Sequence, residues 1–64
     1  MLNDKNLSDL MKKKGVTNRE LALHIGVAPS SMTFYRQGLR IPSAVTLGRI
    51  ANFLGCKMDD IWVI

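Results

Sequence analysis

Five helix-breaking residues, four glycines and a proline, divide this chain into segments that are long enough only for short helices. They fall at Gly15, Gly26, Gly38, Pro42 and Gly55. Between them, apolar residues recur at intervals of three and four, which is typical of helices and not of strands. A chain of 64 residues has room for one small domain. Its core must be compact, because a domain of this size buries only about 60% of its unfolded surface. We therefore expect a single all-α domain over residues 1–64.

The segments predict five helices, at roughly 4–14, 18–25, 29–37, 44–54 and 58–62. Thr17 and Glu20 have the spacing of a capping box at the start of the second helix. Ser43 is the predicted N-cap of the fourth helix, whereas Ala28 leaves the third without a side-chain cap. The clearest core stripe lies on the fourth helix, in Leu47, Ile50, Ala51 and Leu54.

The second and third helices together have the spacing of a DNA-binding helix-turn-helix over residues 18–37. In a unit of twenty residues that starts at Asn18, a small residue stands fifth, Ala22, and a glycine stands ninth at the turn, Gly26. The fourth, eighth, tenth, fifteenth and eighteenth positions are all apolar, and they are Leu21, Ile25, Val27, Met32 and Tyr35. Seven constraints that are met together favour this motif over an ordinary helix pair.

Positive charge is concentrated in the same part of the chain. Six of the nine basic residues lie between Lys12 and Arg40, where Glu20 is the one acidic residue. A basic middle with slightly acidic flanks favours a polyanionic partner, and nucleic acid in particular. For Lys12–Lys14 alone, solvated side chains at a helix end explain the charge better than fixed contacts do.

Across nearly its whole length the chain resembles the lambda-repressor/Cro-like family, also called the XRE family. The matching stretches are Lys14–Thr17, Glu20–Ala22, Ile25–Val27, Pro42–Ser43 and the run Leu47-x-x-Ile50-Ala51-x-x-Leu54-Gly55. The resemblance implies a compact domain of four or five helices that binds operator DNA, usually as a dimer, and regulates transcription without catalysis. One departure is Arg36, where the family commonly has a Glu that pairs with an Arg of helix one at the position of Met11.

The outward face of the third helix is the predicted reading surface. With Met32 and Tyr35 inward, it presents Pro29, Ser30, Thr33, Phe34 and Gln37 to the bases in the major groove. The hydroxyl groups can hydrogen-bond to base edges, while the ring can contact a thymine methyl. Gln37, at the far end, suits a phosphate or an adenine. The alternative for Phe34 is a place in the core.

Phosphate contacts are predicted around this face, from Thr17, Asn18, Arg19, Arg36 and Arg40. The first three stand at the start of the second helix, where free N–H groups and the helix dipole favour an anion. In the family, residues that match Thr17 and Asn18 contact the DNA backbone, and residues that match Gln37 and Arg40 often do. For Arg36 the hypothesis is a phosphate or a carboxylate such as Asp9.

Surplus apolar residues in the C-terminal half favour a homodimer. The predicted interface consists of Val45, Phe53, Trp62, Val63 and Ile64, because a small domain has little room to bury them all. The alternative is that they cover the small core. A symmetric dimer would place two recognition helices one DNA turn apart.

Other functions find little support in the sequence. No nucleophile–base pair, cofactor motif or metal spacing stands out, so we expect neither an enzyme nor a bound cofactor or small molecule. His24 is expected at the surface or near a phosphate, and Cys56 in the core. No apolar run could span a membrane and no secretory signal is present, so we expect a cytoplasmic protein. Two alternatives stay open: a protein-interaction module on the same fold, and the DNA-binding head of a longer repressor or an antitoxin-like regulator.

Overall fold

The chain folds into five helices joined by short loops, so the all-α prediction is confirmed. In the computed structural model, which describes residues 1–63, the helices are α1 (Asp4–Lys14), α2 (Asn18–Ile25), α3 (Pro29–Gln37), α4 (Ala44–Leu54) and α5 (Met58–Ile61). The fifth helix is one residue shorter than predicted. Trp62 has extended backbone angles and pairs with Leu2 in an antiparallel bridge instead of continuing the helix.

Side-chain caps fix where three of the helices begin. The Thr17 hydroxyl accepts from the Glu20 N–H (3.1 Å), and the Glu20 carboxylate accepts from the Thr17 N–H (3.2 Å), which confirms the capping box. The Ser43 hydroxyl accepts from the Thr46 N–H, as predicted for α4. The Asn3 side chain caps α1 by accepting from the Asn6 N–H, a cap that was not predicted from the sequence. Ala28 provides no side-chain cap for α3, as expected.

The core lies where α2 packs against both α3 and α4, with α1 and α5 closing the other side. Its fully buried large side chains are Leu7, Leu21, Met32, Ile50 and Ile61. In the predicted stripe of α4, Leu47, Ile50 and Ala51 are buried. Leu54 is only half-buried, although it still packs on the core. Tyr35 and Val27 also cover the core from outside, so the apolar face of α3 points inward as predicted.

Two of the residues expected at a dimer interface, Phe53 and Trp62, pack against the core of their own domain. Phe53 does not stand clear of the core but packs against it, and its ring stacks on His24 with 4.4 Å between centroids. The Lys14 ammonium lies 4.8 Å from the same ring. The helical periodicity of α4 placed Phe53 on the outer side, but the ends of α1 and α2 reach across to cover it. Trp62 likewise packs on the core.

Cys56 is half-buried against the core, not fully enclosed as expected. Burial raises the pKa of the Cys56 thiol, and the negative charge of Asp60 raises it further. The thiol therefore stays protonated at neutral pH and behaves as a small apolar side chain.

Gly48 lies inside α4 with open space around it, since a Cβ built there would meet no neighbouring atom within 4 Å. Glycine in a helix interior costs about 1 kcal/mol relative to alanine. We therefore expect Gly48→Ala to raise the free energy of unfolding by about 1 kcal/mol, and the melting temperature by roughly 4–8 °C for a domain of this size. Thermal unfolding followed by circular dichroism measures both.

Gly26→Ala is the matched control for this substitution. Gly26 has a φ of +79°, which an L-residue with a side chain adopts only at a cost of about 1–2 kcal/mol. This variant should therefore lose stability. A Gly48→Ala variant that melts at or below the wild-type temperature would contradict the open environment assigned to Gly48.

Candidate nucleic-acid interface

The outer face of α3 is largely exposed. Four of the five predicted base-contacting residues are exposed: Pro29, Ser30, Thr33 and Gln37. The fifth, Phe34, is half-buried, but it is not among the apolar residues of 1–63 that pack on the core. The alternative that placed Phe34 in the core is therefore disfavoured. This arrangement leaves a largely exposed helix face that bears two hydroxyls, an aromatic ring and an amide.

The turn between α2 and α3 fixes the position of this face. Gly26 adopts the left-handed conformation, and the N–H of the following Val27 donates to the Ala22 carbonyl (3.0 Å). Ala22 is completely buried, and its small side chain lets α3 pass close over α2. The predicted motif bounds of 18–37 coincide with the start of α2 and the end of α3.

Asn18, predicted to contact phosphate, is half-buried between α2 and α3. Its side-chain NH₂ donates to the Thr33 hydroxyl (3.3 Å) and, at 3.4 Å, to the Pro29 carbonyl. Its side-chain oxygen accepts from the Arg36 guanidinium (3.2 Å). The amide thus joins the first turn of α2 to the recognition helix. Its main-chain N–H, in the first turn of α2, has no partner within the helix.

Arg36 contacts a carboxylate, but the carboxylate is Asp4 and not Asp9. Its Nε donates to Asp4 (2.6 Å), and its terminal nitrogens donate to Ser8 (2.8 Å) and Asn18 (3.2 Å). Asp4 and Ser8 lie one turn apart on the same face of α1, whereas Asp9 points to the opposite side, where it lines a groove with Lys13 and Asp60. The hypothesis was right about a carboxylate partner and wrong in naming Asp9.

Arg40 folds back over α3 from the following loop. Its guanidinium carbon lies 5.2 Å from the centroid of the Phe34 ring, within the range of a cation–π contact. The Leu39 N–H donates to the Phe34 carbonyl (2.9 Å), and this bond turns the loop toward the helix. Arg40 itself remains exposed. This pairing could not be predicted from the sequence, because residues six apart on a helix and a loop have no fixed spatial relation.

Thr17 and Arg19, the other predicted phosphate contacts, are both exposed at the start of α2. The Thr17 hydroxyl accepts the capping bond, and its proton can still be donated to another partner. An open groove of about 310 Å³ lies nearby, lined by Asp4, Asn18, Thr33, Arg36 and Gln37. Of the predicted site residues, the structure brings Asn18, Thr33, Arg36 and Gln37 together along this groove.

The part of the chain that the structure describes contains no cluster of three or more His, Cys, Asp or Glu side chains suited to a metal ion. Within residues 1–63, no helix has the length and apolarity that crossing a membrane requires.

These features define a helix-turn-helix domain: a capped α2, a left-handed glycine turn and a recognition helix with one buried and one open face. Residues 7–61 match the helix-turn-helix family, and the chain belongs to its XRE, lambda-repressor-like branch. The match covers the whole motif and extends to the end of α5. No curated protein is significantly similar to the chain.

Proposed function

We propose that this protein is a sequence-specific transcriptional regulator of the Cro/repressor type, which reads the major groove of a palindromic operator with α3. The observation that carries the proposal is the open face of α3, which combines hydrogen-bonding groups with an apolar ring and bears no acidic residue. A helix of nine residues is about 14 Å long, and the major groove is about 12 Å wide and admits one α-helix.

The side chains on this face suit A·T-rich sequence. Ser30 and the remaining acceptor site of Thr33 can bond to base edges, and Gln37 can pair with an adenine. Pro29 and Phe34 offer apolar contact to thymine methyl groups. Because arginine is absent from the first turns of α3, specificity depends on methyl contacts and DNA shape more than on arginine–guanine pairs. We expect A·T pairs opposite Phe34.

Contacts to the DNA backbone are assigned to residues on both sides of this face. Thr17, Arg19 and the main-chain N–H of Asn18 stand at the positive end of α2, a ready site for a phosphate. Arg40 follows α3 in the chain and folds back beside Phe34, and its exposed guanidinium can bind a phosphate or enter a narrow minor groove. Both regions belong to the basic middle of the chain, which favours a polyanion.

A homodimer is the proposed binding unit, through a surface narrower than the sequence suggested. Val45 and Val63 are exposed, while Phe53 and Trp62 serve mainly the core, and Ile64 lies outside the described residues. Met1, also exposed, pairs with Val63 through the backbone and lies beside Gly38 at the end of α3. The domain is 25 Å across its longest axis, so two copies fit side by side with recognition helices about 34 Å apart.

Selection of binding sites from random duplex DNA tests the proposal. We expect a palindromic motif with A·T pairs at fixed positions, and an affinity that falls steeply with salt as phosphate counterions are released. Tight binding without a motif would contradict sequence-specific reading. Failure to bind duplex at low ionic strength would favour the protein-interaction alternative.

Alanine variants separate base contacts from phosphate contacts in the same experiment. Ser30→Ala should alter the preferred base at one position of the site by about 1 kcal/mol or more. Arg40→Ala should weaken all sites alike and reduce the salt slope by about one unit. Phe34→Ala separates the two kinds of contact less well than Ser30→Ala, because the Arg40 guanidinium lies over the Phe34 ring and would also lose this contact.

The dimer makes a separate prediction. Val63→Lys places a charge in the proposed interface, so the variant should self-associate more weakly in sedimentation equilibrium and lose affinity for the full palindrome. Leu23→Lys is the matched control, because Leu23 is also an exposed apolar residue but lies on α2 and is not part of the proposed interface. Equal loss of self-association in both variants, or in neither, would contradict the assigned interface.

A further inference from the structure

We propose that Arg36 is a positioning residue of the DNA-reading surface: held by Asp4 and Ser8, it orients the Asn18 amide that fixes α3 to α2, and it does not itself bind phosphate. The inference rests on the proposed function and assigns Arg36 a role different from the one expected from the sequence. Its basis is the set of hydrogen bonds that this guanidinium makes.

The guanidinium joins three helices at one point. Each of its three nitrogens donates to a side chain from α1 or α2: Asp4 and Ser8 on α1, and Asn18 on α2. α1 and α3 are not among the closely packed helix pairs, so this side chain spans a gap that the backbones leave. The planar donor fork of arginine suits such a multiple contact, which a lysine ammonium on a flexible stem would hold less firmly.

Arg36 also determines which way the Asn18 amide faces. A guanidinium only donates hydrogen bonds, so the Asn18 oxygen must face Arg36. The NH₂ group of Asn18 then faces the earlier part of α3, at Pro29 and Thr33. There the NH₂ group reaches the Thr33 hydroxyl, which in turn donates to the Pro29 carbonyl (3.1 Å). A continuous chain of hydrogen bonds therefore runs from Asp4 through Arg36 and Asn18 to Thr33 on the reading face.

Charge and burial argue against a direct phosphate contact by Arg36. Its side chain is only 23% exposed, and the Asp4 carboxylate already lies against it at 2.6 Å. A phosphate that approached through the groove would meet this carboxylate and would have to displace it. Arg19 and Arg40 are exposed and, among residues 1–63, neither forms a salt bridge, so they are better placed to neutralise phosphate.

Asp4→Asn distinguishes the two roles by the sign of its effect. If Asp4 holds Arg36 in place, its loss should weaken binding to the selected operator roughly threefold to tenfold, as expected for a half-exposed charged hydrogen bond. This decrease would occur although the variant removes a negative charge near DNA. If Arg36 is a phosphate contact restrained by Asp4, the same variant should bind more tightly. Tighter binding would overturn the proposal.

Asp9→Asn is the matched control, since it makes the same change of charge on the other face of α1. Its affinity should stay equal to that of the wild type or rise slightly. Arg36→Gln adds a second measurement: its affinity should fall while the slope of log K against log salt stays unchanged. A slope reduced by about one unit would identify Arg36 as a phosphate contact and contradict the proposal.

The free protein provides a readout that does not depend on DNA. The side-chain NH₂ signals of Asn18 in a ¹H–¹⁵N spectrum should shift in Asp4→Asn and keep their wild-type positions in Asp9→Asn, with both variants recorded well below their melting temperatures. Unchanged Asn18 signals in Asp4→Asn would overturn the orienting role. A wild-type protein that ignores duplex DNA would instead defeat the proposed function, even if these signals move as expected.

Discussion

The close contact between α2 and α3 is the constraint on which the rest of the structure depends. α2 is the only helix that packs closely on both α3 and α4 in the described chain, and three of its eight residues are buried in the core. Ala22 allows the close approach, and Gly26 reverses the chain in the left-handed region where a side chain would be strained. Met32 then anchors α3 from below and leaves its other face open.

Polar side chains also hold α3 in place, by hydrogen bonds to α1 and α2. The family commonly joins its first and third helices by a Glu on the third and an Arg on the first, but here Met11 is buried and Arg36 carries the positive charge. Compared with the family arrangement, the positive charge is on the third helix and the negative charge is on the first. The carboxylate also stands at a different position of α1, since it belongs to Asp4 at the start of the helix and not to the position of Met11. The same mechanical link between helices is thus made with different residues.

Periodicity and capping rules were enough to predict the helices, the motif bounds and most of the core, since each depends on neighbours within a few residues. The Thr17–Glu20 box and the turn at Gly26 are local in this sense. The partner of Arg36, the stack of His24 on Phe53 and the contact of Arg40 with Phe34 could not be predicted in the same way. Each joins side chains from separate elements, and nothing in the spacing of residues indicates which long side chain reaches which neighbour.

If the outer face of α3 reads DNA as proposed, its composition gives a reason for α3 to be held firmly. Serine and threonine hydroxyls reach only a short distance from the backbone, so they bond to base edges only if the helix lies deep in the groove at one fixed angle. Long side chains such as arginine tolerate small errors in helix position, but in the proposed complex the bases would face Ser30 and Thr33. A shift of about 1 Å is enough to break such hydrogen bonds, whose useful range of lengths is narrow. The hydrogen bonds from Asp4 through Arg36 and Asn18 to Thr33 would therefore act at the part of the proposed reading face that depends most on position.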